Sequence, residues 1–314
     1  MFMDIRNLQA EEIEQADYIF RLAFGTFIGL PEPTQFMGDA SYIHHRWKTE
    51  PTGAFAAIIN EQLVGTNLAT RWGSFGFFGP LSVHPDYWNQ GIAQNLVQAV
   101  MEYFVEWNID YAGLFTFTNS PKHHRLYQKF GFYPRFLIPV MSKSLQFASK
   151  SQLQSCRYRQ LTETQRQESL KACSQLADTI YPGLNLTQEI TAIQEQKLGD
   201  TILLWDDQGL LGFALCHCGA NTEAGSDTCY IKFATVRPDH QQNFSFQELL
   251  QECEAFTLES GMVKLITGIN TSHHDAYCIM NDRGFRAEVT GVAMHKDNQA
   301  GFSRDDIIAL YDWR

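Results

Sequence analysis

The chain repeats itself. DIRNL at Asp4–Leu8 recurs as RYRQL at Arg157–Leu161, LSVHPDYWN from Leu81 recurs as ATVRPDHQQ from Ala234, and GFYPRFLIPVMSK from Gly131 recurs as GFRAEVTGVAMHK from Gly284. The offset is 153 residues at Arg6, Val83, Gly131 and Lys143 alike. A constant offset at separated points marks a duplicated folding unit. One landmark is out of step: Gly65 and Gly212 are 147 apart, and a connection six residues longer around NTEAGSD restores the register. The expectation is two domains, 1–147 and 156–314, with the polar stretch Ser144–Ser155 as linker.

Within the first unit the periodicities predict an α+β fold with a mixed sheet. A short strand around Ile5 and Leu8 leads into a helix from about Ala10 to Phe24, with Ile13, Ala16, Phe20 and Ala23 at helical spacing. The next stretch, Gly25 to Trp47, has helix-breaking glycines and prolines among apolar residues. It reads either as a lid or pocket wall or as a cap on the core. Strands at Ala54–Asn60 and Leu63–Gly73 form a tight hairpin, and SFGFFGP leads into a strand at Leu81. A helix from Ile92 with Leu96, Val100, Phe104 and Trp107 on one face follows. Then come a strand Tyr111–Thr118, a helix Pro121–Phe130 ending at Gly131, and a strand Phe132–Met141.

Composition bounds what such a chain can serve. Its 314 residues carry a net charge of −11, and by halves −2 for residues 1–150 and −9 for the rest. That balance argues against a nucleic-acid surface and for neutral or cationic partners. No apolar run approaches the ~20 residues that span a bilayer, and the polar, acidic N-terminus does not read as a signal peptide, so the expected location is the cytoplasm. The seven cysteines, all in the second half, suit reduced thiols. The triplet Cys216-His217-Cys218 has no second pair at zinc-site spacing and reads as strand residues, so no metal is expected.

The stretch Leu81–Val97 carries the chemistry. A strand (Leu81, Ser82, Val83) delivers a loop (Trp88, Asn89, Gln90, Gly91) to the first turn of a helix (Ile92, Ala93), collecting unpaired N–H groups and the positive end of the helix dipole at one point. Such a point attracts phosphate, and a strand edge beside it can hold an extended, amide-bearing arm. Coenzyme A has that shape. With Val83-His84-Pro85, Gly91-Ile92-Ala93, Asn119 and Leu126-Tyr127-Gln128-Lys129-Phe130-Gly131-Phe132 in this order, the first half resembles the GNAT superfamily of N-acetyltransferases, and the whole chain resembles a tandem-GNAT protein. Two positions depart: the family's Gln/Arg falls on Trp88 and its following glycine on Asn89.

The resemblance implies acetyl-CoA as acyl donor, a primary amine of a small molecule or peptide as acceptor, and no metal. It assigns acyl-CoA contacts to the loop and to Asn119 and makes Tyr127 the acid that protonates the departing thiolate, against the plainer reading of a ring packed on the sheet. Lys122, His123, His124 and Arg125 could face the phosphates. Asp39, His44, His45, Glu50 and His84 are candidate bases, beside a water relay.

In the second copy Gly91 and Ala93 correspond to Phe244 and Phe246, and Tyr127 to Met280. The phenylalanines should block phosphate and the methionine has no proton to give, so this half reads as a degenerate GNAT domain. The tail Asp305–Arg314 is expected to be amphipathic and to dock on it. Two further readings stay open: a non-catalytic acyl-CoA-binding or regulatory module, and an interaction scaffold. A monomer and a homodimer are equally compatible with the sequence.

Overall fold

The computed structural model describes residues 3–149 and 151–314; Met1, Phe2 and Lys150, which fall in the N-terminal stretch and the linker, lie outside the described residues. The first half runs β1 (Met3–Asn7), α1 (Ile13–Ile28), α2 (Ile43–Thr49), β2 (Ala54–Ile59), β3 (Gln62–Trp72), β4 (Phe75–Phe78), β5 (Ser82–Val83), α3 (Ile92–Glu106), β6 (Tyr111–Phe117), α4 (Pro121–Gln128) and β7 (Phe132–Ser144). The second repeats it: β8 (Gln154–Arg157), α5 (Glu163–Ile180), α6 (Thr187–Glu195), β9 (Gly199–Asp206), β10 (Gly209–Gly219), β11 (Gly225–Val236), α7 (Gln242–Glu259), β12 (Lys264–Gly268), α8 (His274–Asp282), β13 (Arg286–Lys296) and β14 (Ala309–Leu310).

Local departures from the sequence reading have local causes. Helix α1 runs past Gly25 to Ile28, because the missing Cβ lets the Pro33 backbone pack against the helix: a Cβ on Gly25 would lie 2.1 Å from the Pro33 carbonyl oxygen. The segment after α1 is not wholly irregular but holds α2. SFGFFGP is itself a strand, β4, buried on both faces, so it lacks the alternation that marks a half-exposed strand. The hairpin turn falls on Asn60 and Glu61, both with positive φ.

The sheet is continuous across the two halves, in the order β1-β2-β3-β4-β6-β13-β7-β12-β11-β10-β9-β8. Strand β7 and its repeat equivalent β13 have crossed over. β13 lies against β6 of the first half, and β7 lies against β12 of the second, each antiparallel. The two crossed strands pair with each other around Ile138↔Gly291, residues 153 apart and therefore equivalent in the repeat. The flanking pairs Leu137↔Val292 and Pro139↔Thr290 exchange under that offset, so the contact is a self-complementary pseudo-dimer within one chain.

The six extra residues of the second copy bind the halves together. Gly65 and Gly212 are structural equivalents despite their offset: a Cβ on either would press on the same triplet of neighbours, Ser82, Val83 and Leu96 in one half and Thr235, Val236 and Leu249 in the other. The insertion lies beyond Gly212, between β10 and β11. Its Asn221 N–H donates to the Asp39 carbonyl at 3.0 Å and its Thr222 carbonyl accepts from the Ser41 N–H at 2.9 Å. Its Glu223 takes Arg46 of α2 in a two-pronged pair (3.0 and 2.9 Å) and Lys232 of β11 at 3.0 Å, and Lys232 continues to Glu189 of α6 at 2.6 Å. All four side chains are buried. Burial alone would raise the Glu223 pKa, but Arg46 and Lys232 hold it well below the carboxylate range.

Removing Lys232 leaves two buried carboxylates facing each other, so Lys232→Met should cost ~3–5 kcal/mol in urea unfolding. Glu223, with its lowered folded pKa, stabilises the fold above its unfolded value of ~4.3 and loses that contribution as pH falls through the folded value. In Lys232→Met the pKa is less depressed, and the acid-unfolding midpoint should move to higher pH. An unchanged midpoint would remove the network from this role.

Candidate functional site

Parallel strands β4 and β6 are paired only from Phe75–Phe77 to Tyr111–Gly113. Past that point the chain turns at Gly79-Pro80 and β5 stays with β3 (Thr66↔Ser82, Gly65↔Val83), while β6 stays with β13. The sheet therefore splits and opens a cleft of about 940 Å³. One wall is Phe78–Val83 and the other Phe115–Phe117; α1 and the segment after it roof the cleft, and Trp313 and Arg314 complete it.

The β5 wall has a free edge. The His84 N–H bonds the Val64 carbonyl of β3 at 2.8 Å, so by antiparallel alternation the N–H and C=O of Val83 point away from β3. The Leu81 N–H has no backbone partner among the described residues. The Val83 carbonyl is taken by the Trp88 indole N–H at 2.7 Å.

At the mouth of the cleft, Asn89 (φ 64) and Gly91 (φ 82) adopt left-handed conformations that turn the chain into α3. No side chain caps this helix, and the first intrahelical acceptor, the Gly91 carbonyl, serves Gln94 at 3.0 Å. The N–H groups of Asn89 through Ala93 thus have no backbone acceptor among the described residues. Lys122, Arg125 and Lys129 line the same end, with Lys129 donating to Gln94 at 2.8 Å and the Lys122 ammonium 5.6 Å from the Trp88 ring centre. Five donors, a helix dipole and three cations make an anion cradle.

Tyr127, 8% exposed, lines the cleft with its ring 5.9 Å from that of Phe78. Burial pushes its pKa up, and the Thr116 hydroxyl beside it only partly offsets this, so the phenol is protonated at every physiological pH.

The cleft brings together most of the sequence-predicted residues. Leu81, Ser82 and Val83 line it from the wall; Trp88, Asn89, Gly91, Ile92 and Ala93 from the mouth; Lys122 and Tyr127 from α4. The Gln90 side chain and Asn119 stay outside: the Gln90 side chain turns back to the Asp86 carbonyl at 3.4 Å, and Asn119 is exposed in the turn before α4. Of the neighbouring basic residues, His123 and Arg125 line the cleft, whereas His124 is tied to the Phe117 carbonyl at 3.0 Å. None of the five candidate bases reaches it. Asp39 and His45 bond to the second half through Ser226 and Gln196, His44 pairs with Glu14, Glu50 meets Gln188, and His84 accepts from the Asp86 N–H. Lys129, not among the candidates above, lies seven residues from Lys122, a spacing that puts both on one helical face. Trp313 and Arg314 carried no signal, since they come from the other half.

In the second half the corresponding split is filled. β11 and β12 pair over Thr228–Ile231 and Lys264–Thr267 and then part, and β14 enters the gap: Ala309 and Leu310 pair with Thr235 and Ala234, the equivalents of Ser82 and Leu81. The Thr235 hydroxyl donates to the Ile308 carbonyl at 2.7 Å, and His273 bonds the Ile307 carbonyl at 3.0 Å. At the start of α7 the Asp239 carboxylate takes the Gln241 N–H at 2.7 Å, and opposite stands Asp275 where the first half has Lys122. The expected block by phenylalanine is corrected for Phe246, which is buried in the core; Phe244 stands half exposed on the first turn, at the position Gly91 leaves open, and the chain's own strand and carboxylates occupy the rest of the site. Met280 is fully buried. The tail is not amphipathic either: Ile307 to Trp313 are all buried, and beyond Leu310 it crosses to the first half, where the Trp313 ring lies over Gly113 so closely that a Cβ there would be 2.5 Å away. Among the described residues no group of three or more His, Cys, Asp or Glu is placed to hold a metal, and no helix is long and apolar enough to cross a membrane.

The sequence profile of the Acetyltransferase (GNAT) family matches residues 13–132. The fold is similar to a putative acetyltransferase from Pyrococcus horikoshii (TM-score 0.70, 15% identity, 99% of this chain and 95% of that one). It is also similar to a GCN5-related N-acetyltransferase from Sphaerobacter thermophilus (0.62, 14%, 94% and 95%) and another from Anabaena variabilis (0.56, 14%, 94% and 72%). No curated protein matches the sequence.

A Cβ at Gly91 meets no atom within 4 Å, so Gly91→Val should cost only the ~1–2 kcal/mol of a left-handed residue in stability. If the loop cradles phosphate, coenzyme A binding measured by calorimetry should weaken at least ~10-fold, because the side chain would sit among the donors. Unaltered affinity would separate the loop from anion binding.

Proposed function

Residues 13–132 form a GNAT-family domain, and from this membership and the geometry of the cleft we propose an N-acetyltransferase that moves the acetyl group of acetyl-CoA to a primary amine. In this reading residues 1–147 are the catalytic unit and 156–314 a degenerate copy. One observation carries it: the splayed edge beside an uncapped, cation-flanked helix N-terminus is open in the first half, whereas in the second it is filled by the chain itself.

The diphosphate would rest on the N–H groups of Asn89–Ala93 with Lys122, Arg125 and Lys129 about it, and the extended arm would run along the free edge of β5. The amine attacks the thioester carbon; its carbonyl oxygen gains charge and the Leu81 N–H is placed to receive it. As the carbon–sulfur bond breaks, Tyr127 donates its proton to the leaving thiolate and recovers one from solvent. The nitrogen loses its proton to water, since no candidate base lines the cleft. An apolar, cation-flanked site disfavours an ammonium and so favours the neutral amine that the reaction needs.

One feature favours a second reading, a non-catalytic acyl-CoA-binding module. The Trp88 indole occupies the Val83 carbonyl, an acceptor on the edge that an amide of the donor would otherwise use. Release of free thiol from acetyl-CoA in the presence of amines separates the two.

Tyr127→Phe should lower kcat by ~10²-fold and leave KM for acetyl-CoA within about twofold. The raised phenol pKa keeps the acid form present up to at least pH ~10, so kcat/KM should climb about tenfold per pH unit until the free amine's own pKa, with no alkaline fall below that point. Unchanged turnover in the variant would remove Tyr127 from the acid role, and a plateau near pH 6–7 would reveal a protein base.

A further inference from the structure

The α1 side of the cleft is unlike the pocket the chain's acidity suggests. Among the described residues no aspartate or glutamate lines the cleft. Its formal charges are Lys122, Arg125 and Lys129 at the phosphate end and Arg314 opposite. Arg314 is already paired, with Asp312 at 3.1 Å, and stacked 4.3 Å over the Tyr230 ring, so it does not call for an anionic partner. Burial and the neighbouring Lys122 lower the His123 pKa and favour its uncharged form.

This side is largely ring surface. Phe24 stacks on Phe36 (centroids 5.4 Å) and meets Phe20 edge-on (5.0 Å), while Phe27 packs against Phe117 (5.1 Å) and His123 (4.9 Å). Phe24, Phe36 and Phe117 are half-buried and Phe27 is 38% exposed, so their unburied faces belong to the cleft that they line. Such a surface gains by covering apolar area and offers a second ammonium ring faces and the Tyr42 hydroxyl but no carboxylate, so most of its desolvation would go unrepaid. The net charge of −11 does not reverse this, because distant exposed charges are screened over ~8–10 Å.

Resting on the acyl-transfer reading, we propose that the acceptor is a monoamine on an aryl-alkyl or alkyl body, with the reacting nitrogen its only ionisable group. Polyamines, aminoglycosides and lysine-rich peptides are disfavoured by the same surface. An apolar chain could also reach these rings as a long acyl group of the donor, and the test distinguishes the two sources.

The test is calorimetry at pH 9 on the CoA-saturated protein, titrated with phenethylamine and with spermidine, in wild type and Phe27→Glu. Partial exposure makes Phe27 a position where the fold tolerates change. Phenethylamine should bind wild type at least ~10-fold more tightly than spermidine. Phe27→Glu should lose at least ~10-fold for phenethylamine and gain for spermidine, with CoA affinity within about twofold. Spermidine binding as tightly as phenethylamine, or no saturable phenethylamine binding, would overturn the proposal. So would an octanoyl-CoA that binds more tightly than acetyl-CoA and loses that advantage in Phe27→Glu, which would give the rings to the acyl chain. Should phenethylamine show the stated preference while acetyl-CoA releases no thiol, the cleft's monoamine preference stands and the acyl-transfer reading, with the acceptor role, falls.

Discussion

The exchange of final strands is the constraint on which the rest of the molecule depends. With β13 against β6 and β7 against β12, neither half completes its sheet without the other, and the two halves cannot separate without exposing strand edges. The exchange also fixes where each half's later residues go. Because β13 lies beside β6, the chain after it emerges next to the first half's cleft, fills the second half's split as β14, and returns to place Trp313 and Arg314 in the first.

That path gives duplicated halves different fates. Both carry the same splay of parallel strands, since both inherit a strand that parts from its neighbour after three or four paired residues. In one half the free edge remains available to a ligand; in the other it bonds to Ala309 and Leu310. The helix termini diverge in step. Gly91 and Lys122 leave the first helix open to an anion, whereas the second has Phe244 and Asp275 at those positions, and its Asp239, matched by Asp86 in the first half, turns onto the Gln241 N–H. Both changes remove one ligand's features, the extended arm and the phosphates of one molecule, which is why the acyl-CoA reading accounts for them together.

Much of this was legible in the sequence because it is local or periodic. The repeat, the strand-loop-helix at Leu81–Val97 and most elements follow from apolar spacing and from glycines such as Gly91, whose positive φ the turn requires. The exchange was not legible, for a physical reason. β7 and β13 carry equivalent residues, so closed and exchanged pairings have the same local pattern, and only the geometry of the connections selects between them. β4 was hidden by burial on both faces, and the path of the tail by its dependence on contacts far apart in sequence. The acidity of the second half does not reach the cleft: Glu189 and Glu223 are spent in a buried network, and the cleft draws its charges from Lys122, Arg125, Lys129 and Arg314. Asn119 and the Gln90 side chain, placed by analogy and adjacency, lie off the cleft.

Hydrogen–deuterium exchange with and without saturating coenzyme A tests the central claim, a single acyl-CoA site in the first half, most directly, because it reports each half separately. The account predicts protection over Leu81–Gln94 and along α4, with no change over Ala234–Gln247 and α8. Protection of the second stretch, or none of the first, would contradict it.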